Sequence, residues 1–251
     1  SKGWDLIKQN INIEAPTSGG KYLGCTHIVR EVTFPAGSNP LSRETSNTTK
    51  SPLVTARVLE YDMEDFLSSC VDRYAELAGI NRWKLKPVPT PFLEEKINVT
   101  KDTQFGEAPS KEIDLIEAGG NLGGTLQAIA CKVLMKLLYA ARMCRFDLLR
   151  AISGLASKIT KWTHEEDAKL HRLISYVNCT LSHRMLSWVD QAEKLENLYL
   201  ALYADADFAG DIPSMKSTSG VFLALAGGNS RCTIAGSSRK QTAVSHSTPE
   251  A

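Results

Sequence analysis

Towards the end of the chain, three consecutive strand patterns constrain the fold more than any other feature. Bulky apolar residues fill positions 198–204, and strand-compatible stretches follow at 216–226 and 231–240. The residues between the last two stretches, Gly-Gly-Asn-Ser at 227–230, are typical of a hairpin turn. Consecutive strands joined by short connections usually pair antiparallel. We therefore predict an antiparallel three-stranded unit in this part of the chain.

Upstream, the patterns indicate one more hairpin and then helices. Strand-like stretches at 21–34 and 53–61 flank a segment rich in Pro, Ser and Thr, which predicts a long hairpin around a loop at 35–52. A helix is expected from Asp62 to Gly79, and an apolar helical face recurs from 126 to about 158. Thr163 followed by Glu166 forms a capping-box pattern that opens another helix. The predicted fold class is α+β.

Charge is balanced overall but uneven along the chain. The 251 residues include 29 Lys plus Arg and 28 Asp plus Glu, whereas residues 131–186 alone carry a net charge of +6. Such a local excess is compatible with a polyanionic partner or with a solvated helix face, and both readings stay open. No apolar run approaches the length of a membrane span, so no membrane partner is expected.

The six cysteines are widely and irregularly spaced, and no Cys-x-x-Cys pair occurs. A disulfide framework usually has a denser pattern, so we expect free thiols in a reducing compartment. This indicates an intracellular protein, in the cytoplasm or the nucleus.

Two carboxylates stand where the apolar stretch 198–204 ends. Asp205 and Asp207 are two residues apart, and they project to the same side if the strand continues through them. Neighbouring carboxylates repel each other unless a cation lies between them, and Mg²⁺ prefers carboxylate oxygens. The pair is therefore a candidate metal site, with an acidic turn in water as the alternative.

Several motifs together resemble the Pol polyprotein of copia-type LTR retrotransposons. Residues 203–211 read Y-A-D-A-D-F-A-G-D, where the family has Y-S-D-A-D-W-A-G-D. The family's K-S-T-S-G is matched at 216–220, and its K-K-Q-x-x-V-A-x-S-S-T-E-A-E resembles 238–251. Weaker similarities in the same order lie at 21–25, 86–91, 138–147 and 172–180.

The resemblance implies the end of a reverse transcriptase, a connection region and the start of a ribonuclease H domain. In that domain, four carboxylates hold two Mg²⁺ ions that cleave the RNA of an RNA–DNA hybrid. Asp205 matches the first carboxylate and is expected to cap a central strand flanked by 216–226 and 231–240. Asp207 and Glu250 are accessory candidates. The basic residues expected to contact nucleic acid are Lys132, Arg142, Arg145, Lys216, Arg239 and Lys240.

The resemblance also divides the chain into four parts. A reverse-transcriptase thumb-like segment spans 1–85 and an irregular linker spans 86–125. A helical connection follows at 126–195, and the first three antiparallel strands of a truncated ribonuclease H-like fold occupy 196–251. The remainder of the polyprotein is then a partner, and we expect an unprotected sheet edge and poor solubility of the isolated chain.

The carboxylate set is incomplete. The metal-binding Glu of the family aligns beyond Ala251, and no Asp-Asp pair of a polymerase occurs anywhere in the chain. We therefore expect little or no catalysis by these residues, with Mg²⁺ bound weakly or not at all. Two alternatives remain, a non-catalytic nucleic-acid-binding module and a degenerate remnant of the element.

Overall fold

The computed structural model describes residues 2–12, 20–37, 52–92, 124–211 and 215–244. Among these residues, no helix is long and apolar enough to cross a bilayer. Much of the loop predicted at 35–52 and of the linker predicted at 86–125 lies outside the described residues, and so does Glu250.

Helices and antiparallel strands occur in separate runs along the described chain, which fits the predicted α+β class. The helices are α1 (Lys2–Asn10), α2 (Glu64–Ala78), α3 (Gln127–Met143), α4 (Leu149–Ala156) and α5 (His164–Cys179). The strands are β1 (Lys21–Tyr22), β2 (Cys25–Pro35), β3 (Leu53–Asp62), β4 (Met185–Asp190), β5 (Tyr199–Asp211), β6 (Lys216–Ala226) and β7 (Arg231–Lys240). Helix α1 was not anticipated, because its sequence shows only short apolar pieces.

The seven strands of the described residues form one antiparallel sheet in the order β1-β2-β3-β4-β7-β6-β5. The hairpin of β2 and β3 and the turn between β6 and β7 are both as predicted. One edge of the sheet is β1, which has only two residues, and the other edge is β5, which has 13. The long β5 therefore leaves one side of its backbone without a strand neighbour in the described sheet.

Strand β4 was missed by the sequence analysis, which assigned all of 126–195 to helices. It pairs with β3 over six residues and meets β7 at Trp188 and Arg231. The Asp190 amide donates to Ser230 Oγ at 3.0 Å, close to the β6–β7 turn. This short strand therefore joins the N-terminal hairpin and the C-terminal meander into a single sheet.

The main hydrophobic core lies between the helices and the N-terminal hairpin. Apolar side chains at helical spacing on α2, α3 and α5 point into it and are almost completely buried. Its fully buried members include Leu67, Val71, Leu134, Leu137, Leu170, Leu173 and Ile174. This core fixes the position of α3 relative to α5, and residues 144–163, which include α4, connect the two helices.

Helix boundaries follow the local chemistry. Gly79 takes a left-handed conformation (φ 65°) and ends α2, as predicted, because glycine adopts that conformation without steric cost. The predicted capping box opens α5, with Thr163 and Glu166 satisfying each other's backbone amides. The expected long helix at 126–158 is instead interrupted after Met143, and a 3₁₀ turn at Phe146–Leu148 precedes α4.

Candidate functional site

The two candidate carboxylates lie on β5, which continues past its predicted end at 204 to Asp211. Asp205 is paired with Gly220 and Asp207 with Thr218 on β6, so both side chains share one face of the strand. The prediction that Asp205 lies on a central strand is wrong. Among the described strands, β5 pairs with β6 alone, and β7 pairs with the far side of β6.

Asp207 is held by contacts inside the protein. One carboxylate oxygen accepts a hydrogen bond from the Thr218 amide, and the other lies 3.4 Å from Arg150 Nη2. Gly210 approaches the same carboxylate so closely that a side chain at this position would collide with it. These contacts direct the oxygens of Asp207 to protein donors.

Asp205 is more open. Its side chain is exposed, and Oδ1 accepts a hydrogen bond from the Ala206 amide at 3.0 Å. Among the residues that the structure describes, no group of three or more His, Cys, Asp or Glu side chains is arranged to hold a metal ion. One open carboxylate and one carboxylate bound to an arginine do not fit the two Mg²⁺ ions that the sequence resemblance implies.

A pocket of about 300 Å³ lies beside Asp205, between β5 and the start of α4. Arg150 and Leu149 line its helical wall, and Tyr203 and Phe222 line its floor on the sheet. The Phe146 and Phe222 rings pack edge to face, with 6.2 Å between their centroids. This contact packs the residues before α4 against the sheet. Sequence reasoning did not identify this pocket, because it forms between segments more than 50 residues apart.

Three of the predicted basic contacts lie at the same end of the sheet as the two aspartates. Lys240 is paired with Thr218, which is itself paired with Asp207. Arg239 is paired with Ser219 and therefore points to the opposite face, while Lys216 is paired with Asp211. Basic and acidic residues thus both occur at this end of the meander.

The other basic candidates belong to α3 and the turn that follows it. Lys132 and Arg142 are exposed on α3, ten residues apart, which corresponds to about 15 Å along the helix axis. Neither has an ion pair in the described part of the chain. Their side chains are therefore exposed without an opposite charge beside them among the described residues.

Arg145, in contrast, lies inside the protein with only 2% of its side chain exposed. Nε and Nη2 donate to the two Asp147 oxygens at 2.9 and 2.8 Å. The same guanidinium donates to the Thr180 carbonyl at 3.0 Å and to Thr180 Oγ1 at 2.8 Å, at the end of α5. Because its donors are engaged and buried, Arg145 has no place in an external nucleic-acid surface.

Two residues near Arg145 have raised pKa values. Burial, followed by the nearby Asp147 carboxylate, raises the pKa of Tyr176, whose hydroxyl donates to Asp147 Oδ2 at 3.1 Å. Burial raises the pKa of Cys144 to about 12, so this thiol stays protonated at neutral pH. The region around Arg145 is therefore a structural polar network, and it offers no reactive thiolate.

Two arginines of the basic segment 131–186 pair with acidic residues from other parts of the fold. Arg184 contacts Glu60 at 3.7 Å, Asp62 at 3.2 Å and Glu64 at 2.6 Å, all from the N-terminal half. Arg150 contacts Asp207. No sequence signal indicated the long-range ion pairs of Arg184 or of Arg150. The exposed positive charge is therefore smaller than the segment's net charge of +6 suggests.

Comparisons of the chain with protein-family models, with curated proteins and with solved structures gave no match.

Proposed function

We propose that this chain is a segment of a copia-type retrotransposon Pol polyprotein, spanning the end of the reverse transcriptase, the connection region and the start of the ribonuclease H domain. The observation that carries the proposal is the position of Asp205. This residue of the Y-A-D-A-D-F motif is exposed on the first strand of the β5–β6–β7 meander and borders a pocket. The resemblance assigns the first catalytic carboxylate of a ribonuclease H to that strand.

The proposal further holds that this chain does not hydrolyse hybrids itself. Two-metal hydrolysis requires several carboxylates around one pair of ions. Asp207 is engaged by Arg150 and the Thr218 amide, so Asp205 is the one carboxylate of the pair that is open to a metal. A single carboxylate gives no basis for the two-ion step, and we assign no metal-dependent mechanism to these residues.

Non-catalytic binding of an RNA–DNA hybrid is the second candidate function, and exposed basic residues favour it. Lys132 and Arg142 are exposed on α3, and the exposed Arg239 and Lys240 lie with the half-buried Lys216 at one end of the meander. Lysine and arginine side chains neutralise phosphates and release counterions, which stabilises binding without reading the base sequence. All six thiols are free, which supports placing this activity inside the cell.

Fluorescence anisotropy with a labelled RNA–DNA hybrid tests the binding proposal. We expect affinity to fall steeply between 50 and 200 mM salt, as phosphate contacts require. The double variant Lys132→Ala/Arg142→Ala should bind more weakly and reduce the slope of log affinity against log salt by about 2, about one for each phosphate contact.

The matched control is Lys84→Ala/Lys86→Ala, which removes two exposed positive charges outside the proposed surface. This control should leave the slope nearly unchanged. An affinity that is independent of salt, or an equal loss in both double variants, would count against a specific basic surface.

A further inference from the structure

The outer edge of β5 is a long strand edge with apolar side chains on both of its faces. Tyr199 and Tyr203 are 60% and 52% exposed on one face, and Leu200 and Leu202 are 66% and 65% exposed on the other. Alternate backbone N–H and C=O groups of an edge strand point away from the sheet and can pair with another strand. The described sheet has no strand on that side of β5.

The exposed stretch has a two-fold pattern in its sequence. Residues 199–203 read Tyr-Leu-Ala-Leu-Tyr, which is the same in both directions about Ala201. Two copies of this stretch can pair antiparallel about an axis through Ala201. Each Tyr199 is then opposite Tyr203 of the second copy, and each Leu200 is opposite Leu202 of the second copy. A two-fold interface between identical chains requires this kind of self-complementarity.

We propose that two copies of this chain associate through β5, edge to edge, with Ala201 on the two-fold axis. Tyrosine pairs then form on one face of the continuous sheet and leucine pairs on the other. Cross-strand pairs of aromatic and aliphatic side chains are the contacts that stabilise antiparallel strands. This inference rests on the geometry of β5 and does not depend on the proposed hybrid binding.

The distribution of charge favours this register over others. The acidic residues of β5 begin at Asp205, and the 3₁₀ turn at Leu195–Asn197 ends the straight part of the chain on the other side. Pairing about Ala201 therefore covers only 198–204, which contains no charged residue. A register centred on Asp205 would instead place the two Asp205 carboxylates opposite each other, and like charges directly opposite destabilise a strand pair.

Sedimentation velocity on the full chain, under reducing conditions and over a range of concentrations, tests the proposal. The wild-type chain should reach a mass of twice 27.5 kDa. The double variant Leu200→Lys/Leu202→Lys places a lysine opposite a lysine in both pairs, and it should weaken association by about tenfold or more. The variant Leu200→Lys/Leu202→Glu places a lysine opposite a glutamate in both pairs, so it should recover the dimer.

The two double variants change the same two exposed positions, so their folding can be compared directly by circular dichroism. If the lysine variant fails to fold, Leu200→Glu/Leu202→Glu replaces it with the same expectation. A wild-type chain that stays at 27.5 kDa at the highest concentration would overturn the proposal. A lysine variant that remains dimeric, or a folded lysine–glutamate variant that remains monomeric, would overturn the register.

Discussion

Replacing Arg145 with alanine should lower the free energy of unfolding by about 3 kcal/mol or more, because the change removes one partner of a buried charged network. The substitution deletes four hydrogen bonds, two to Asp147 and two to Thr180. It leaves the Thr180 carbonyl with only the His183 amide, and the Asp147 carboxylate with only the Tyr176 hydroxyl, among the donors in the described part of the chain. Urea denaturation monitored by circular dichroism measures the loss.

Two further variants separate this effect from a simple loss of charge. Arg142→Ala removes an exposed guanidinium from the last turn of α3, three residues away, and should change stability by no more than about 0.5 kcal/mol. Arg145→Lys keeps the charge but cannot form the two-pronged contact with Asp147, so it should recover only part of the loss. Equal stabilities of Arg145→Ala and Arg142→Ala would refute the structural role of Arg145.

Asp167→Ala should be the second strongly destabilising change and should lower the free energy of unfolding by about 2 to 3 kcal/mol. The reason is that this carboxylate of α5 caps the start of α3. Asp167 lies in the first turn of α5 and accepts hydrogen bonds from the Thr125 and Leu126 amides at 2.7 and 3.1 Å. It also accepts from the Trp162 indole Nε1 at 2.6 Å. Without these hydrogen bonds, the N-terminal end of α3 is no longer held to α5. Thermal unfolding followed by circular dichroism measures the loss of stability.

Glu165→Ala is the matched control for this second prediction. Glu165 is in the same turn of α5, but its side chain is 70% exposed and its ion pair is with Lys169. We expect the free energy of unfolding to change by about 0.5 kcal/mol at most, since exposed ion pairs of this type contribute little to stability. A loss at Glu165 as large as that at Asp167 would show that the cap across the two helices is unimportant.

The elements that sequence alone predicted are those specified by neighbouring residues. Thr163 and Glu166 form a capping box because each satisfies a backbone amide three residues away. Gly79 ends α2 because it takes a left-handed conformation at that position. The hairpin of β2 and β3 and the turn at 227–230 follow from the same kind of local signal.

The features that could not be predicted depend on contacts between distant segments. Strand β4 has only six residues and mixed polarity, and it is defined by its pairing with β3. Arg145 and Arg150 look alike in sequence, but one is buried with Asp147 and the other reaches Asp207 from α4. The position of Asp205 at the sheet edge also depends on strand order, which residue spacing does not determine.

The assignments to a retrotransposon polyprotein, to Mg²⁺ and to nucleic-acid contacts stay predictions. The division of the chain into four parts also stays a prediction, although the single sheet shared by β1–β7 crosses three of its boundaries.

We propose that this chain carries the first carboxylate of a hybrid nuclease but not a working metal site. Incubation of the purified chain with a labelled RNA–DNA hybrid and Mg²⁺ tests it most directly, with RNA cleavage followed on a denaturing gel. We predict no cleavage above the rate of a protein-free control, while anisotropy on the same samples reports salt-sensitive binding. Robust cleavage that disappears in Asp205→Asn would contradict the claim.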